Sequence, residues 1–375
     1  MSKAKDGNFL MHGRLLAALL LLAPLAAQAA QPKPFTRDDA RKIIGDLQKI
    51  VSPNGIDEQK QITIGGIRQW ITIRGRDRND PILLFLHGGP AAPEMPTSWT
   101  FQNPWEDYFT VVQWDQRGSG KTYNANDPKK IAPTLTVDRM EKDTEEVVQY
   151  LRATYHKKKI FVIGHSWGSL LGIMLAHNHP EWLYADVGMG QMIDTQSSER
   201  DSYEAALAGA RAAHDAKAIR ELESIAPYPG GAVPLDKINI ERNWSVKYGG
   251  LSWNRDSYDY YYHATQLSPD YTDADLDAID KGSLLSLTHL LPAFTTFDYS
   301  HVTEFKCPII IFNGRHDETV SEKVTADWFA HVHAPVKKLV WFENSAHMMQ
   351  IEEPGRVLVH LVEDVRPLAR DATSR

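Results

Sequence analysis

The sequence predicts an α/β architecture, a mostly parallel central sheet covered by helices on both faces and interrupted by a helical insertion. Between Pro81 and Met192, segments that are apolar throughout alternate with amphipathic ones. That is the pattern of strands buried on both faces of a parallel sheet. Over residues 193–300 the alternation stops, and the chain becomes rich in Ala, Asp, Tyr and Trp. From Cys307 the strand–helix rhythm resumes.

The 375 residues are 42% hydrophobic and 24% charged, which are globular values. The net charge is −7 and no long basic run is present, which argues against a nucleic-acid partner. The single cysteine, Cys307, excludes an intramolecular disulfide and a cysteine-based zinc site.

Residues 1–29 have the three-part layout of a secretory signal. MSKAKDGNFLMHGR carries scattered positive charge, LLAALLLLAPLAA is a short apolar core, and Ala27-Gln28-Ala29 offers small residues for cleavage. The alternative is an uncleaved membrane anchor, although the apolar run is short for a span. The expected organisation is a signal peptide (1–29), a first part of the core (30–192), a helical cap insertion (193–300) and a second part of the core (301–375). The mature protein is then expected to be secreted or periplasmic, with no stable membrane insertion.

The mature chain opens with FTRDDARKIIGDLQKI, an amphipathic stretch with a Thr36 cap and an acid after it, hence a helix. Pro53-Asn54-Gly55 ends it. QITI and IRQWITIR alternate about Gly65-Gly66, which predicts a β-hairpin. PILLFLHGG and FTVVQWDQRG follow as strands, LTVDRMEKDTEEVVQYLRATY as a helix, IFVIGHS as a strand, WGSLLGIMLAHN as a helix and LYADVGMGQ as a strand. After the insertion come the strand CPIIIFNGRHD, the helix SEKVTADWFAHVHA, the strand KKLVWFENSAH and the helix EEPGRVLVHLVEDVRPLA. No internal repeat or low-complexity linker is present.

The chemistry concentrates at Gly164-His165-Ser166-Trp167-Gly168, a Gly-x-Ser-x-Gly turn between a buried strand and a helix. Such a turn lifts a serine Oγ off the carboxyl edge of the sheet, and the flanking glycines avoid collisions. It also puts the Trp167 amide at a helix N-terminus, pointing at incoming negative charge. A serine hydroxyl needs a base held by a third group. Asp317, just past one strand, and His347, after the next, supply an acid and a histidine in the chain order this architecture requires. Asp194, after an earlier strand, is the alternative acid. Glu318 would point elsewhere, and His165 and His316 read as lining or packing residues. A second oxyanion donor is expected from His87-Gly88-Gly89-Pro90, with the Gly89 amide first and Gly88 next. A plain turn is the alternative for that loop.

These motifs together resemble the α/β-hydrolase superfamily and, more narrowly, the prolyl aminopeptidase (proline iminopeptidase) family. The resemblance rests on HGGP (87–90), WDQRGSG (114–120), GHSWGS (164–169), GRHD (314–317) and SAHM (345–348), in matching order over residues 60–190 and 300–365. It implies the α/β-hydrolase fold and serine hydrolysis of an acyl bond by a Ser166-His347-Asp317 triad through an acyl-enzyme. It also implies recognition of a substrate amino terminus by glutamates in the cap. The insertion offers Glu199, Glu204, Glu221, Glu223 and Glu241 for that role. The chain departs from the family pattern at Ala91, where a glycine is usual, and at Trp253-Asn254, where a glutamate typically follows the tryptophan. In the WDQRGSG block, Asp115 and Arg117 read as a structural ion pair, with Gln116 lining the pocket.

The insertion is crowded with Trp244, Tyr248, Trp253, Tyr258, Tyr260, Tyr261 and Tyr262. Either several face the site and make the bound group hydrophobic or aromatic, with Trp253 and Tyr258 the leading candidates, or they hold the cap helices together. The expected substrate is a small molecule or short peptide. A carboxylesterase or lactonase is the alternative to an aminopeptidase, and a non-catalytic binding protein on the same scaffold the remote one. Ser166, in place of a carboxylate, argues against a dehalogenase or epoxide hydrolase. No phosphate-cradling loop or dinucleotide fingerprint is present, so no cofactor is expected. His331-x-His333 lacks a third partner, so no metal is expected either.

Overall fold

A computed structural model describes residues 34–371, so the signal-like segment 1–29 lies outside the described residues. The strands are β1 (Ile56–Ile64), β2 (Ile67–Gly75), β3 (Ile82–Leu86), β4 (Thr110–Asp115), β5 (Ile160–His165), β6 (Leu183–Met189), β7 (Ile309–Gly314) and β8 (Lys337–Phe342). They form one eight-stranded sheet in the order β1-β2-β4-β3-β5-β6-β7-β8. The hairpin β1–β2 turns at Gly65-Gly66, and β2 pairs antiparallel with β4. Every later pairing is parallel.

The central strands are buried at nearly every position because both sheet faces are covered. Ile82, Leu84 and Leu86 of β3 and Ile160 and Val162 of β5 pack into one core, which includes Leu170, Leu171 and Ile173 of the helix Trp167–Asn178. The intervening Leu83, Phe85, Phe161 and Ile163 pack into the other, with Val357 and Leu361 near the C-terminus. The helix Arg37–Leu47 ends earlier than the expected Pro53-Asn54-Gly55 stop.

Between β6 and β7 the chain forms the helices Thr195–Ala212, Ala216–Ser224, Leu235–Lys247, Asp259–Thr265 and Asp273–Phe294. The first two of these helices part where His214 takes φ 53°, and Asp215 caps the second through the amides of Lys217 and Ala218. The WDQRGSG block anchors this cap to the sheet. The Tyr271 hydroxyl donates to Asp115 Oδ2, and Lys121 Nζ donates to Asp275 Oδ2 at 2.8 Å. A Cβ on Gly282 would lie 2.3 Å from the Gly118 carbonyl, so glycine lets the long cap helix sit against the turn.

This corrects the expected Asp115–Arg117 pair. Arg117 reaches away from Asp115 to Asp143 on the helix Val137–Thr154, at 2.7 and 3.1 Å, and to the Gly65 carbonyl at 2.9 Å. Both Arg117 and Asp143 are buried, so neither tolerates loss of the other. Asp115 instead accepts from the Lys121 amide and the Tyr271 hydroxyl, and burial raises its carboxyl to about 7.

Candidate active site

Ser166 occupies the bend with φ 53° and ψ −121°, a strained conformation for a residue with a side chain. Contacts on both sides make the bend obligatory. A Cβ on Gly164 would lie 2.4 Å from the Gly168 carbonyl oxygen, and one on Gly168 would lie 1.9 Å from that of Leu86. The Ser166 amide donates to the Met189 carbonyl at 2.9 Å. The next residue, Gly190, has φ +57°, and a Cβ there would lie 2.8 Å from His347 Cε1 and 3.2 Å from Asp317 Oδ2. The tips of β5, β6, β7 and β8 therefore converge on one point at the carboxyl edge of the sheet.

His347 Nδ1 donates to Asp317 Oδ2 at 2.8 Å. Asp317 Oδ1 accepts the amides of Thr319 and Val320 at 3.0 and 2.9 Å. With its proton on Nδ1, His347 keeps an Nε2 lone pair, and His347 lines the same cavity as Ser166. Burial holds the ring below the ordinary histidine range, against the pull of Asp317 and with a smaller push from His165 and Arg242. Asp194 caps the helix Thr195–Ala212 through the Ser197 amide. Glu318 lines a separate outer cavity beside Trp253 and His316, and burial raises it to about 7.

The Gly88–Gly89 loop approaches Ser166 from the other side. A Cβ on Gly88 would lie 3.2 Å from that of Ser166, and Gly89 has φ +115°. Ala91 sits at φ 60°, the left-handed region that glycine enters freely, which explains the family's usual residue there. His87 holds the loop's shape. Its Nε2 accepts the Gln116 amide at 3.2 Å, which puts the ring proton on Nδ1, where it donates to the Gly88 carbonyl at 2.8 Å.

Gln116 is fully buried, and both ends of its carboxamide are engaged. Nε2 donates to the His87 carbonyl at 2.9 Å, and Oε1 accepts from the Trp167 indole at 3.0 Å. It ties the glycine loop to the bend from behind, where the sequence pattern suggested a place in the pocket. Trp253 stacks on His316 with centroids 3.4 Å apart and faces the outer cavity, away from Ser166. Tyr258 does line the Ser166 cavity, and so does Tyr261.

Two cavities meet at Ser166, with Gly89 and Thr319 common to both. One, of about 220 Å³, is lined by Leu251, Tyr258, Tyr261, Met348 and Ala92, with Glu94 and His165 also in its wall. The other, of about 150 Å³, is walled by Met192, Ile238, Leu287, Leu291, Phe294 and Val320 and bears Glu199 and Arg242. Arg242 pairs with both Glu199 and Glu241, the Tyr228 hydroxyl donates to Glu199, and Ser202 donates to Glu241 at 2.6 Å. Burial raises the Glu241 carboxyl, with Arg242 opposing. Glu221 and Glu223 pair elsewhere, with Trp244 and Arg211.

Sequence patterns did not single out Glu94, Arg242 or the role of Gln116. A lone acid in the apolar loop APEMPT was the available signal for Glu94. No described cluster of His, Cys, Asp or Glu is arranged to hold a metal, and no described helix is long and apolar enough to cross a membrane.

The chain belongs to the alpha/beta hydrolase fold family, whose model matches residues 81–354. It is 31% identical over 303 residues to a probable aminopeptidase, YbaC, of Bacillus subtilis, covering 79% of this chain and 92% of that protein. A proline iminopeptidase of Neisseria gonorrhoeae is 38% identical over 99 residues, only 26% of this chain and 29% of its own length. Among solved structures, a proline iminopeptidase from Mycobacterium smegmatis superimposes with TM-score 0.60 at 16% identity, over 84% of this chain and 100% of that one. The protein is accordingly an α/β-hydrolase enzyme related to aminopeptidases.

Proposed function

We propose that this chain is an exported serine hydrolase of the aminopeptidase type, cleaving an acyl bond of a short peptide or small molecule through an acyl-enzyme. Ser166 Oγ attacks the substrate carbonyl while His347 Nε2 takes its proton, and Asp317 offsets the charge that develops on the ring. The tetrahedral oxyanion is received by the Trp167 amide and by the amide of Gly89 or Gly88. As the intermediate collapses, His347 gives the proton to the departing amine. Water then attacks the acyl-enzyme by the same route and frees Ser166.

The observation that carries this reading is the Asp317–His347 hydrogen bond in one cavity with a serine held in a strained bend. The aminopeptidase reading is supported by the Bacillus relative and by the Glu199–Glu241–Arg242 cluster. Two carboxylates against one guanidinium leave a net negative charge when both are ionised, suited to a substrate ammonium. The second reading, a carboxylesterase, is favoured by the predominantly apolar lining of the larger cavity and by Arg242 already occupying both glutamates.

The test uses a fluorophosphonate probe, a prolyl-arylamide and a nitrophenyl ester. Wild type should be labelled, and Ser166→Ala should be unlabelled and lose turnover while remaining folded. More than a few per cent residual turnover sinks the assignment. The ratio of arylamide to ester rates chooses between the readings. Export is tested by cell fractionation and by N-terminal sequencing of the mature protein.

A further inference from the structure

Glu94 has no part in the chemistry above, yet it is 2% exposed and joins four segments around the site. The Tyr261 hydroxyl, from the cap helix Asp259–Thr265, donates to Oε2 at 3.0 Å. Gln350, beyond His347 in the chain, donates through Nε2 to Oε1 at 3.1 Å. The Thr97 hydroxyl lies 3.2 Å from Oε2. On the remaining side, His165 Nδ1 lies 3.3 Å from Oε1, an ion-pair approach rather than an aligned hydrogen bond.

His165 immediately precedes Ser166, and its other nitrogen, Nε2, lies 3.0 Å from the main-chain oxygen of His347. A carbonyl oxygen only accepts, so Nε2 carries a hydrogen. An ionised carboxylate also only accepts, and the donors from Tyr261 and Gln350 favour that form of Glu94. With a hydrogen on Nδ1 as well, the ring is an imidazolium facing the Glu94 carboxylate across 3.3 Å. Its centroid is 4.6 Å from that of His347.

We propose that Glu94 and His165 form a buried ion pair that positions the His347 loop and keeps the His347 ring unprotonated at neutral pH. They are positioning residues, and the proposal rests on the Ser166–His347–Asp317 reading. A cation tilted against His347, with centroids 4.6 Å apart, disfavours a second proton there, and a proton on Nε2 would abolish general-base action. Burial would raise Glu94, yet His165 and Tyr261 hold it below the ordinary carboxylate range.

Other charged groups act on the two rings. Asp317 faces His347 at Nδ1, and Arg242 acts on it from the cap. Glu352 accepts the flanking amides of Ala346 and Met348 at 3.0 and 3.2 Å. His87 approaches His165 from the glycine loop. Tyr258 and Tyr261 are the cap phenols in the cavity. Of these, only His165 combines ring contact with His347 and a carboxylate of its own.

The experiment measures the rate of fluorophosphonate labelling of the full chain from acid to neutral pH, for wild type, His165→Gln and Glu94→Gln. In wild type the acidic limb should lie below the ordinary histidine range. His165→Gln should move it upward by about one pH unit, a tenfold loss of rate on the limb beyond any change in plateau. Glu94→Gln should move it the same way by less, because the pair loses its carboxylate while the His165 ring stays beside His347. Folded variants whose limb stays at the wild-type position, however low their plateau, overturn the proposal and leave the pair a packing contact. If neither variant folds, nitrogen NMR of wild-type imidazoles decides, and a neutral His165 ring at neutral pH overturns it. Failure of wild type to label at all overturns the nucleophile assignment instead.

Discussion

Replacing Gly168 by alanine tests whether the register between the serine bend and the glycine loop matters to activity. The new Cβ would lie 1.9 Å from the Leu86 carbonyl oxygen, 2.5 Å from its carbon and 2.8 Å from the His87 carbonyl oxygen. All three are main-chain atoms at the end of β3, and none can rotate aside as a side chain can. Ordinary contact begins at 3.4 Å, so the two segments must part by about 1.5 Å. That movement separates the Trp167 amide and Ser166 from the Gly88–Gly89 amides. A misplacement of about 1 Å costs on the order of a hundredfold in rate, and overpacking costs about 1–3 kcal/mol in stability. The assay is ester turnover alongside thermal unfolding. Gly355→Ala serves as the control, because no described atom lies within 4 Å of a Cβ there. A Gly168→Ala protein that unfolds like wild type and keeps more than about a tenth of its turnover refutes the reasoning, since a hundredfold loss is expected.

Three further outcomes follow from the same geometry. Because burial holds His347 below the ordinary histidine range, the base form is present at neutral pH. Activity should be flat there and fall only in acid, and stability linked to this ring should also be lost as pH falls; a limb above the usual histidine range in a pH–rate profile contradicts this. Asp186, whose oxygens find no hydrogen-bond partner among the described residues, is raised by burial to about 8, so the folded state keeps its proton after the unfolded chain has released it. Stability should then decline as pH rises from the ordinary carboxylate range toward about 8, and Asp186→Asn should remove this part of the slope in urea titrations. Gln116→Leu should cut turnover by roughly tenfold or more with the protein still folded, through loss of the carboxamide link between the His87 carbonyl and the Trp167 indole; unchanged kcat would reduce that link to packing.

The sheet and the bend were legible because their signals are local. Apolar runs such as ILLFL and IFVI have no other satisfactory burial, and a serine between two glycines at a strand–helix junction does little there except present its hydroxyl. Asp317 and His347 were readable from their places after strands, since parallel neighbours bring their tips to one edge. Contacts that depend on where a side chain points were not readable. Asp115 and Arg117 are close in sequence, yet the strand ends at Asp115 and Arg117 turns back toward a helix whose Asp143 no spacing rule selects. Gln116 lies between them and looks exposed to the pocket, whereas its neighbours bury it. The cap aromatics gave a crowd without a face. Tyr258 and Tyr261 share one side of a short helix turned to Ser166, while a separate loop carries Trp253 onto His316. The signal-like segment lies outside the described residues, so export stands as part of the proposed function.

The meeting of two cavities at Ser166 constrains how a substrate can lie. Amides at Trp167 and Gly89 would fix the carbonyl oxygen, so the two halves of a substrate must diverge from that point into different surroundings. The smaller cavity ends at charge, with Arg242 clamped between Glu199 and Glu241 on neighbouring cap helices. The larger presents mainly aromatic and aliphatic surface borne by the cap and by the Met348 segment, with Glu94 and His165 in its wall. Both walls therefore depend on how the cap sits. The cap is held by Tyr271 and Lys121 at the WDQRGSG turn, by the Leu251 carbonyl accepting the His347 amide at 3.1 Å, and by Tyr261 donating to Glu94. The last two contacts end on the catalytic histidine of the proposed mechanism or on the ion pair behind it. A displacement of the cap would thus alter the base as well as the walls, which makes substrate selection and catalytic competence properties of one docking rather than two independent features.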